Sequence, residues 1–159
     1  MKKLFSSLII SIVLGLTMTS VMADNVTDAK AFFNNYVEAA NSYSTNIPNF
    51  YSPNAKIIRQ VVKPDGTTAN AYTDTATYVK QMKLSQSVAK VRKYKNNYSN
   101  ITATDLGNGK VKVSALRQPS GETYKLKSYM ILQKQSDGSF KIVEEMMQTK
   151  EQIFLKYAK

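Results

Sequence analysis

Glu144 is the residue whose type and position most directly suggest chemistry in this sequence. A period of two along residues 140–147 places its carboxylate on the otherwise apolar side of a predicted strand. A carboxyl group that is desolvated on such a side is harder to ionise and can act as a general acid or base. Three alternatives remain open: an ion pair with Arg117, an ion pair with Arg59, or a carboxylate that simply reaches solvent.

Two arginines and four aromatic residues are further candidates for a ligand-binding site. Arg117 shares the inward side of its predicted strand with apolar residues, and Arg59 lies in an earlier strand. Their forked guanidinium donors can hold an anionic ligand, although a surface position is the default for arginine. The aromatic residues that can line a pocket, or can equally be core residues, are Phe33, Tyr36, Tyr98 and Tyr124.

The composition excludes several kinds of catalytic site. The sequence contains no cysteine and no histidine. Thiolate nucleophiles, imidazole bases, Ser-His-Asp triads and zinc sites built from Cys or His are therefore excluded. Disulfides are excluded too, and a core of this size can be stable without them. We predict no cofactor and no metal, and the number of excluded catalytic sites favours a protein that is not an enzyme.

The elements that must position these residues centre on a predicted meander of four strands over residues 94–149. Turn signals rich in Gly, Asn, Asp, Pro and Ser separate the strands at residues 106–109, 119–122 and 136–139. Alternation in the third strand turns Met130 toward the core, and alternation in the fourth does the same for Ile142. The meander therefore has one largely apolar face.

Helices and a hairpin are predicted before the meander. Asn25 or Thr27 caps a first helix with an apolar stripe to residue 40, and Pro48 opens a short helical turn. Residues 55–63 and 70–72 form a hairpin. Asp74 then caps a helix of about three turns that ends before Ser85, and residues 151–158 have a weak helical pattern. Helices collected on one face of such a sheet define an α+β fold.

Residues 1–23 have the pattern of a cleaved bacterial signal peptide. A short positive segment precedes an almost wholly apolar run at residues 4–18, and the small residue Ala23 follows. The alternative is an uncleaved anchor, but the run is shorter than the ~20 residues of a spanning helix. We therefore expect residues 24–159 to form one periplasmic or secreted domain with no integral membrane segment after cleavage.

The net charge of the chain indicates which chemical classes of partner it can attract. Without Lys2 and Lys3 the net charge falls from +11 to +9, which favours anionic neighbours such as lipid headgroups, envelope polysaccharide or an acidic protein. Nucleic acid is not expected for an exported protein. The alternative is a solvated basic surface that keeps the protein soluble. The densest basic group is Lys80, Lys83, Lys90, Arg92, Lys93 and Lys95.

The order and spacing of these segments resemble the nuclear transport factor two-like superfamily, which includes SnoaL-like and ketosteroid-isomerase-like proteins. The resemblance is carried by residues 31–37 (AFFNNYV), 50–57 (FYSPNAKI), 64–66 (PDG) and 137–143 (DGSFKIV). It implies a cone-shaped α+β barrel, with N-terminal helices packed in the concave face of a strongly curved, mixed or antiparallel sheet. An apolar pocket would lie at the open end.

The resemblance also implies that Glu144 falls where family members often place a polar pocket residue. The sequence departs from the enzymes of the family because it has no histidine and no aspartate at an inward strand position. Our first hypothesis is therefore an exported, non-catalytic domain that binds a small amphipathic or anionic ligand or an envelope protein. It would dimerise through an outer sheet face that carries Tyr129, Ile131, Val143 and Met147.

Two alternatives belong to other functional classes. One is an isomerase or dehydratase that uses Glu144 as acid or base and a tyrosine as oxyanion donor. The other is a basic adaptor or toxin-neutralising subunit in the envelope, which the positive net charge would serve.

Overall fold

The computed structural model describes residues 23–158. The predicted signal peptide therefore lies outside the described residues, apart from its last residue, Ala23. Helix α1 covers residues 23–41. The later regular elements are β1 (Tyr51–Val62), β2 (Thr68–Thr73), α2 (Thr75–Val91), β3 (Asn96–Gly107), β4 (Lys110–Pro119), β5 (Leu126–Lys134) and β6 (Phe140–Thr149). Two 3-10 helices, Ile47–Phe50 and Gln152–Tyr157, complete them.

The six strands of the described residues form one open mixed sheet in the order β2-β1-β6-β5-β4-β3. Strands β1 and β6 are parallel, and the other neighbouring pairs are antiparallel. The predicted meander is confirmed as β3 to β6, and the predicted hairpin as β1 and β2. The fold class is α+β with helices packed on a mixed sheet, as the sequence predicted. The sheet does not close into a barrel, since β2 and β3 remain edge strands.

The hydrophobic core lies between one face of the sheet and α1. Met130 is 2% exposed and Ile142 is 0% exposed, so both inward orientations predicted from the sequence are confirmed. Phe33 of α1 packs edge-on against Tyr98 of β3, with ring centroids 5.2 Å apart. Burial of these apolar side chains is the main driving force that holds α1 in the concave face.

Helix α1 starts earlier than predicted. The chain is already helical at residue 23, so Asn25 and Thr27 lie inside the helix and do not cap it. The Thr27 hydroxyl donates to the Ala23 carbonyl at 3.1 Å. The Asn25 amide instead joins α1 to the sheet, since it donates to Asp105 at 3.3 Å and accepts from Lys134 at 2.9 Å.

Helix α2 begins as predicted but ends later. Asp74 caps it by accepting from the Thr77 backbone N–H at 2.8 Å. The prediction that the helix ends before Ser85 is wrong, since the helix continues to Val91 and a tertiary contact holds Gln86 within it. The Gln86 amide donates to the Tyr43 carbonyl at 2.6 Å. The helix ends where Lys93 takes the left-handed conformation at φ 51°.

A β-bulge in β6 changes which glutamate faces inward. Leu132 pairs with Ile142, but Ile131 pairs with Glu144, so Val143 is an extra residue in β6. An extra residue moves every later side chain to the other face of the sheet. The prediction that Glu144 points inward is therefore wrong, and Glu145 takes that position opposite Met130.

The same bulge turns Met147 inward. Met147 pairs with Ser128 of β5, which is buried on the inner face. Its predicted place on the outer sheet face is therefore wrong.

Candidate ligand-binding site

A buried polar cluster lies at the centre of the concave face around Glu145, which is 0% exposed. Arg59 Nη1 donates to Glu145 Oε1 at 2.8 Å. The Tyr51 hydroxyl donates to Oε2, and the Tyr36 hydroxyl donates to the same oxygen at 3.4 Å. The two phenol oxygens are 3.0 Å apart. We call Glu145, Arg59, Tyr36 and Tyr51 the Glu145 cluster.

The parallel pairing of β1 with β6 builds this cluster. Ile57 lies opposite Glu145, and Arg59 follows two residues later on the same face, opposite Met147. Tyr51 is the first residue of β1, directly after the 3-10 helix Ile47–Phe50, which has Pro48 in its first turn. The chain thereby brings together two charged residues that are 86 positions apart.

The electrostatics of the cluster keep its donors protonated. Burial, and then the charge of Glu145, raises the pKa of both Tyr36 and Tyr51 well above the ordinary value. Burial alone would lower the pKa of Arg59, but Tyr78 and Glu145 outweigh that effect and the pKa rises. Arg59 and the two phenols therefore surround the carboxylate of Glu145, with the single Tyr36 proton shared between the Tyr51 oxygen at 3.0 Å and Oε2 at 3.4 Å.

Two cavities lie on either side of Tyr78. The larger, of about 580 Å³, lies between α2, β1, β2 and the C-terminal 3-10 helix. The smaller, of about 250 Å³, lies between the end of α1, α2 and β3. Tyr78, Met82 and Ser85 line both cavities, and Glu145 lines neither. The Glu145 cluster reaches the larger cavity through Arg59 and the smaller through Tyr36.

Among residues 23–158, Arg59 is the one charged residue on the wall of the larger cavity. Its Nη1 donates to Glu145 and to the Ile58 carbonyl at 3.2 Å. The guanidinium lies over the Tyr78 ring, 4.7 Å from the centroid. These two hydrogen bonds do not use the Nε and Nη2 donors. The remaining wall is mostly aromatic and apolar, with Ala71, Tyr72, Met82, Phe154 and Tyr157 among its residues.

The structure gathers some of the predicted site residues and separates others. Tyr36 and Arg59 meet at Glu145, and Tyr98 lines the smaller cavity, where burial raises its pKa. Phe33 lies in the core beside them. The other three predicted residues, Arg117, Tyr124 and Glu144, line neither cavity.

Each of those three residues has a different environment. Arg117 is buried and donates to Asn96 Oδ1 and to the Gln148 carbonyl, both at 2.8 Å. Tyr124 precedes β5, and Lys150 Nζ lies 4.0 Å from its ring centroid.

Glu144 lies on the outer face. It accepts from the Tyr129 hydroxyl at 2.6 Å and lies 3.8 Å from Lys56 Nζ. It is therefore paired on the outer face and lies outside both cavities.

Sequence reasoning missed Glu145, Tyr51 and Tyr78. A pair of consecutive glutamates in a strand must place one carboxylate on each face, so the pattern shows that one faces inward without showing which. Tyr51 and Tyr78 carried the weaker signal of aromatic residues beside a Pro turn and on an amphipathic helix.

Comparison with known proteins identifies the fold. No protein-family model matches this chain, and no curated protein matches it. A protein of unknown function from the DUF3225 family of Pectobacterium atrosepticum has a TM-score of 0.61 and 18% identity, over 79% of this chain and 91% of that one. A putative scytalone dehydratase from Novosphingobium aromaticivorans has a TM-score of 0.56 and 12% identity, over 82% and 86%.

A third similar structure is Aln2 from a Streptomyces species, with a TM-score of 0.54 and 10% identity over 82% of this chain and 94% of that one. The chain has the nuclear transport factor two-like cone fold, as its sequence predicted. Identities this low show the fold alone, and one fold of this kind hosts many functions.

The described part of the chain, residues 23–158, shows two further features. It holds no group of three Asp or Glu side chains placed to bind a metal ion. It also holds no helix that is long and apolar enough to cross a membrane.

Proposed function

We propose that this chain is an exported, non-catalytic binding domain that holds a small amphipathic molecule in its larger cavity. One observation carries the proposal: a cavity of about 580 Å³ has mostly aromatic and apolar walls and, among the described residues, a single charged side chain, Arg59. Small-molecule sites in proteins typically combine this size and apolar lining with a few placed polar groups.

The bound molecule has an apolar, ring-sized body and one oxygen acceptor. The aromatic side chains of Tyr72, Tyr78 and Phe154 supply apolar wall against which the body can pack. The Nε and Nη2 donors of Arg59 suit a carboxylate, sulfonate or phenolate oxygen, and a guanidinium can bind an oxyanion with two parallel hydrogen bonds.

The state of Glu145 supports binding over catalysis. A general base needs a free lone pair within reach of the substrate, whereas three protein donors surround this carboxylate and it lines neither cavity. Glu144 lies on the outer face with its side chain 24% exposed, away from both cavities. The composition offers no histidine or cysteine to take the role of either residue.

A blocking variant tests which cavity binds the ligand. Gln81 is exposed on α2 and lines the larger cavity, whereas Ala89 on the same helix lines the smaller one. Gln81→Trp should weaken binding of anilinonaphthalene sulfonate by about tenfold or more, since 1.4 kcal/mol of lost contact is a factor of ten, and the matched Ala89→Trp should leave it unchanged. Fluorescence titration measures both affinities. Equal affinities for Gln81→Trp and the unmodified protein would refute the assignment to this cavity.

A second pair of measurements tests Arg59. Arg59→Lys keeps the positive charge beside Glu145 but loses the planar fork. The sulfonate probe should then bind roughly fivefold to tenfold more weakly, while the neutral phenylnaphthylamine should bind as before. Equal losses for the two probes would show that the substitution disturbs the cavity and that Arg59 does not select the acceptor. A native mass spectrum of protein purified from its host identifies the natural ligand.

Export is the second part of the proposal, and the pattern of residues 1–23 supports it. Protein from the host periplasm or medium should begin at Asp24, which an intact mass measures. A chain that retains Met1 would contradict export by cleavage.

The outer-face homodimer stays a prediction. Three residues of the predicted dimer face are each half-buried in the single chain: Tyr129, Ile131 and Val143. A monomer in light scattering at micromolar concentration would exclude the dimer.

A further inference from the structure

Helix α2 carries an apolar stripe that no described part of the chain covers. Leu84 is 70% exposed, Val88 is 50% exposed and Val91 is 83% exposed. Their spacing of four and three residues places them on one face of the helix. We call these three residues the α2 stripe. Single exposed apolar residues are ordinary, but three neighbouring ones on one helix face form a surface.

The opposite face of α2 packs on the rest of the domain. Tyr78 and Met82 line both cavities, and Ala89 lines the smaller one. The Gln86 amide holds the helix to the turn that follows α1, through the Tyr43 carbonyl. The α2 stripe lines neither cavity, so its exposure does not serve the site proposed above.

Positively charged side chains, with no acidic side chain among them, surround the α2 stripe. Residues 75–104 contain no aspartate and no glutamate. The ion pairs found in residues 23–158 involve Lys56, Arg59 and Lys134 and none of the cations of this segment. The exposed cations of this segment are Lys80, Lys83, Lys90, Arg92, Lys93 and Lys95.

We propose that α2 docks the domain on an anionic lipid bilayer. The α2 stripe would lie at the boundary between headgroups and acyl chains, and the surrounding lysines would extend to the lipid phosphates. A bilayer fits this surface better than an acidic protein does. The cations are spread around the stripe with no carboxylate among them to set a register, and a uniformly anionic plane satisfies all of them at once.

Vesicle co-sedimentation tests the proposal with protein purified from its own host, with the N-terminus as the host leaves it. The protein should sediment with phosphatidylcholine vesicles that contain phosphatidylglycerol, and should stay in solution with phosphatidylcholine alone. The triple variant Leu84→Ala, Val88→Ala, Val91→Ala keeps good helix formers at exposed positions. Its binding to the anionic vesicles should weaken by roughly tenfold, because its apolar area is smaller.

A matched pair of charge variants separates α2 from net charge. Replacing Lys80, Lys90 and Lys93 with Gln should weaken binding on the order of a hundredfold at low salt. Replacing three exposed lysines elsewhere with Gln, at positions 110, 125 and 127, removes the same charge and should weaken binding by a few-fold at most.

Three results would overturn the proposal. The first is the absence of binding to anionic vesicles at low salt. The second is equal weakening by the two lysine variants, which would assign binding to net charge. The third is unchanged binding of the alanine variant. That result would mean that the α2 stripe does not contact the bilayer, or that residues outside 23–158 bind it.

Discussion

The replacement Glu145→Gln tests the most consequential feature of this structure, the carboxylate that the bulge in β6 turns inward. Glu145 is 0% exposed, and Arg59 and two phenols donate to it. A glutamine keeps the shape of the side chain but replaces one oxygen with an NH₂ donor. With the amide oxygen toward Arg59, the NH₂ group has to donate to the phenol oxygens, so both hydroxyls must reorient and Arg59 loses its charged partner.

The magnitude follows from burial and charge. The Arg59 side chain is 15% exposed, so removing its counter-ion leaves a nearly buried cation unpaired. Breaking a buried pair by removing one partner costs about 3–5 kcal/mol of unfolding free energy. A small domain has about 5–15 kcal/mol in all, so we expect Glu145→Gln to lose a large part of the stability of the protein.

The assay is urea unfolding with Glu144→Gln as the matched control. The control removes the same charge one residue away, where Glu144 is 24% exposed and lies 3.8 Å from a half-exposed Lys56. Exposed pairs contribute about 0–1 kcal/mol, so the midpoint should hardly change. A loss of about 3 kcal/mol lowers the midpoint by about 1–3 M at the usual slopes for small proteins.

Two results would refute this reasoning. Equal midpoints for the two variants would mean that neither glutamate is specially buried. A larger loss for Glu144→Gln would mean that β6 has no bulge and that Glu144 faces inward. A double-mutant cycle with Arg59→Met checks the pair itself, because the double variant should lose less stability than the two single losses added together.

Two further predictions concern the ends of α2. Hydrogen bonds from the Thr77 backbone and side chain lower the pKa of Asp74. The stability that the Asp74 cap contributes is therefore fully present above its unfolded pKa of about 3.9. It disappears as the pH falls through the lower folded pKa. Asp74→Ala should therefore lower the urea midpoint at neutral pH and match the unmodified protein in strong acid; an equal deficit at both pH values would contradict the cap. Lys93 has φ 51°, so Lys93→Gly should raise unfolding free energy by about 1 kcal/mol, whereas a loss would show that the lysine side chain itself stabilises the end of the helix.

Local patterns predicted most of the elements because local interactions determine them. The turn residues between β3 and β6, the cap at Asp74 and the β-branched run in β1 each favour one backbone conformation by themselves. The end of α2 was not predictable in this way. Ser85 and Ser87 lower helix preference locally, and the contact of Gln86 with Tyr43, which is 43 residues away, compensates for that.

The site was less predictable than the fold. Tyr36 and Arg59 were among the predicted residues and do line the cavities. Arg117 and Tyr124 were predicted with them on equal grounds, and the structure places them elsewhere. Residue type shows which side chains can bind an acceptor, whereas a cavity depends on how α2 and the C-terminal 3-10 helix pack against β1 and β2.

By itself the sequence determined the α+β fold, the inward direction of Met130 and Ile142, and the exclusion of Cys and His chemistry. These follow from composition and from periodicity within single elements. The tertiary structure decided that Glu145 faces inward and that Arg59 meets it. A bulge depends on the pairing of two strands, and the parallel contact of β1 with β6 joins residues far apart in the chain. Pairing between distant strands is a property of the whole sheet, so no local pattern encodes it.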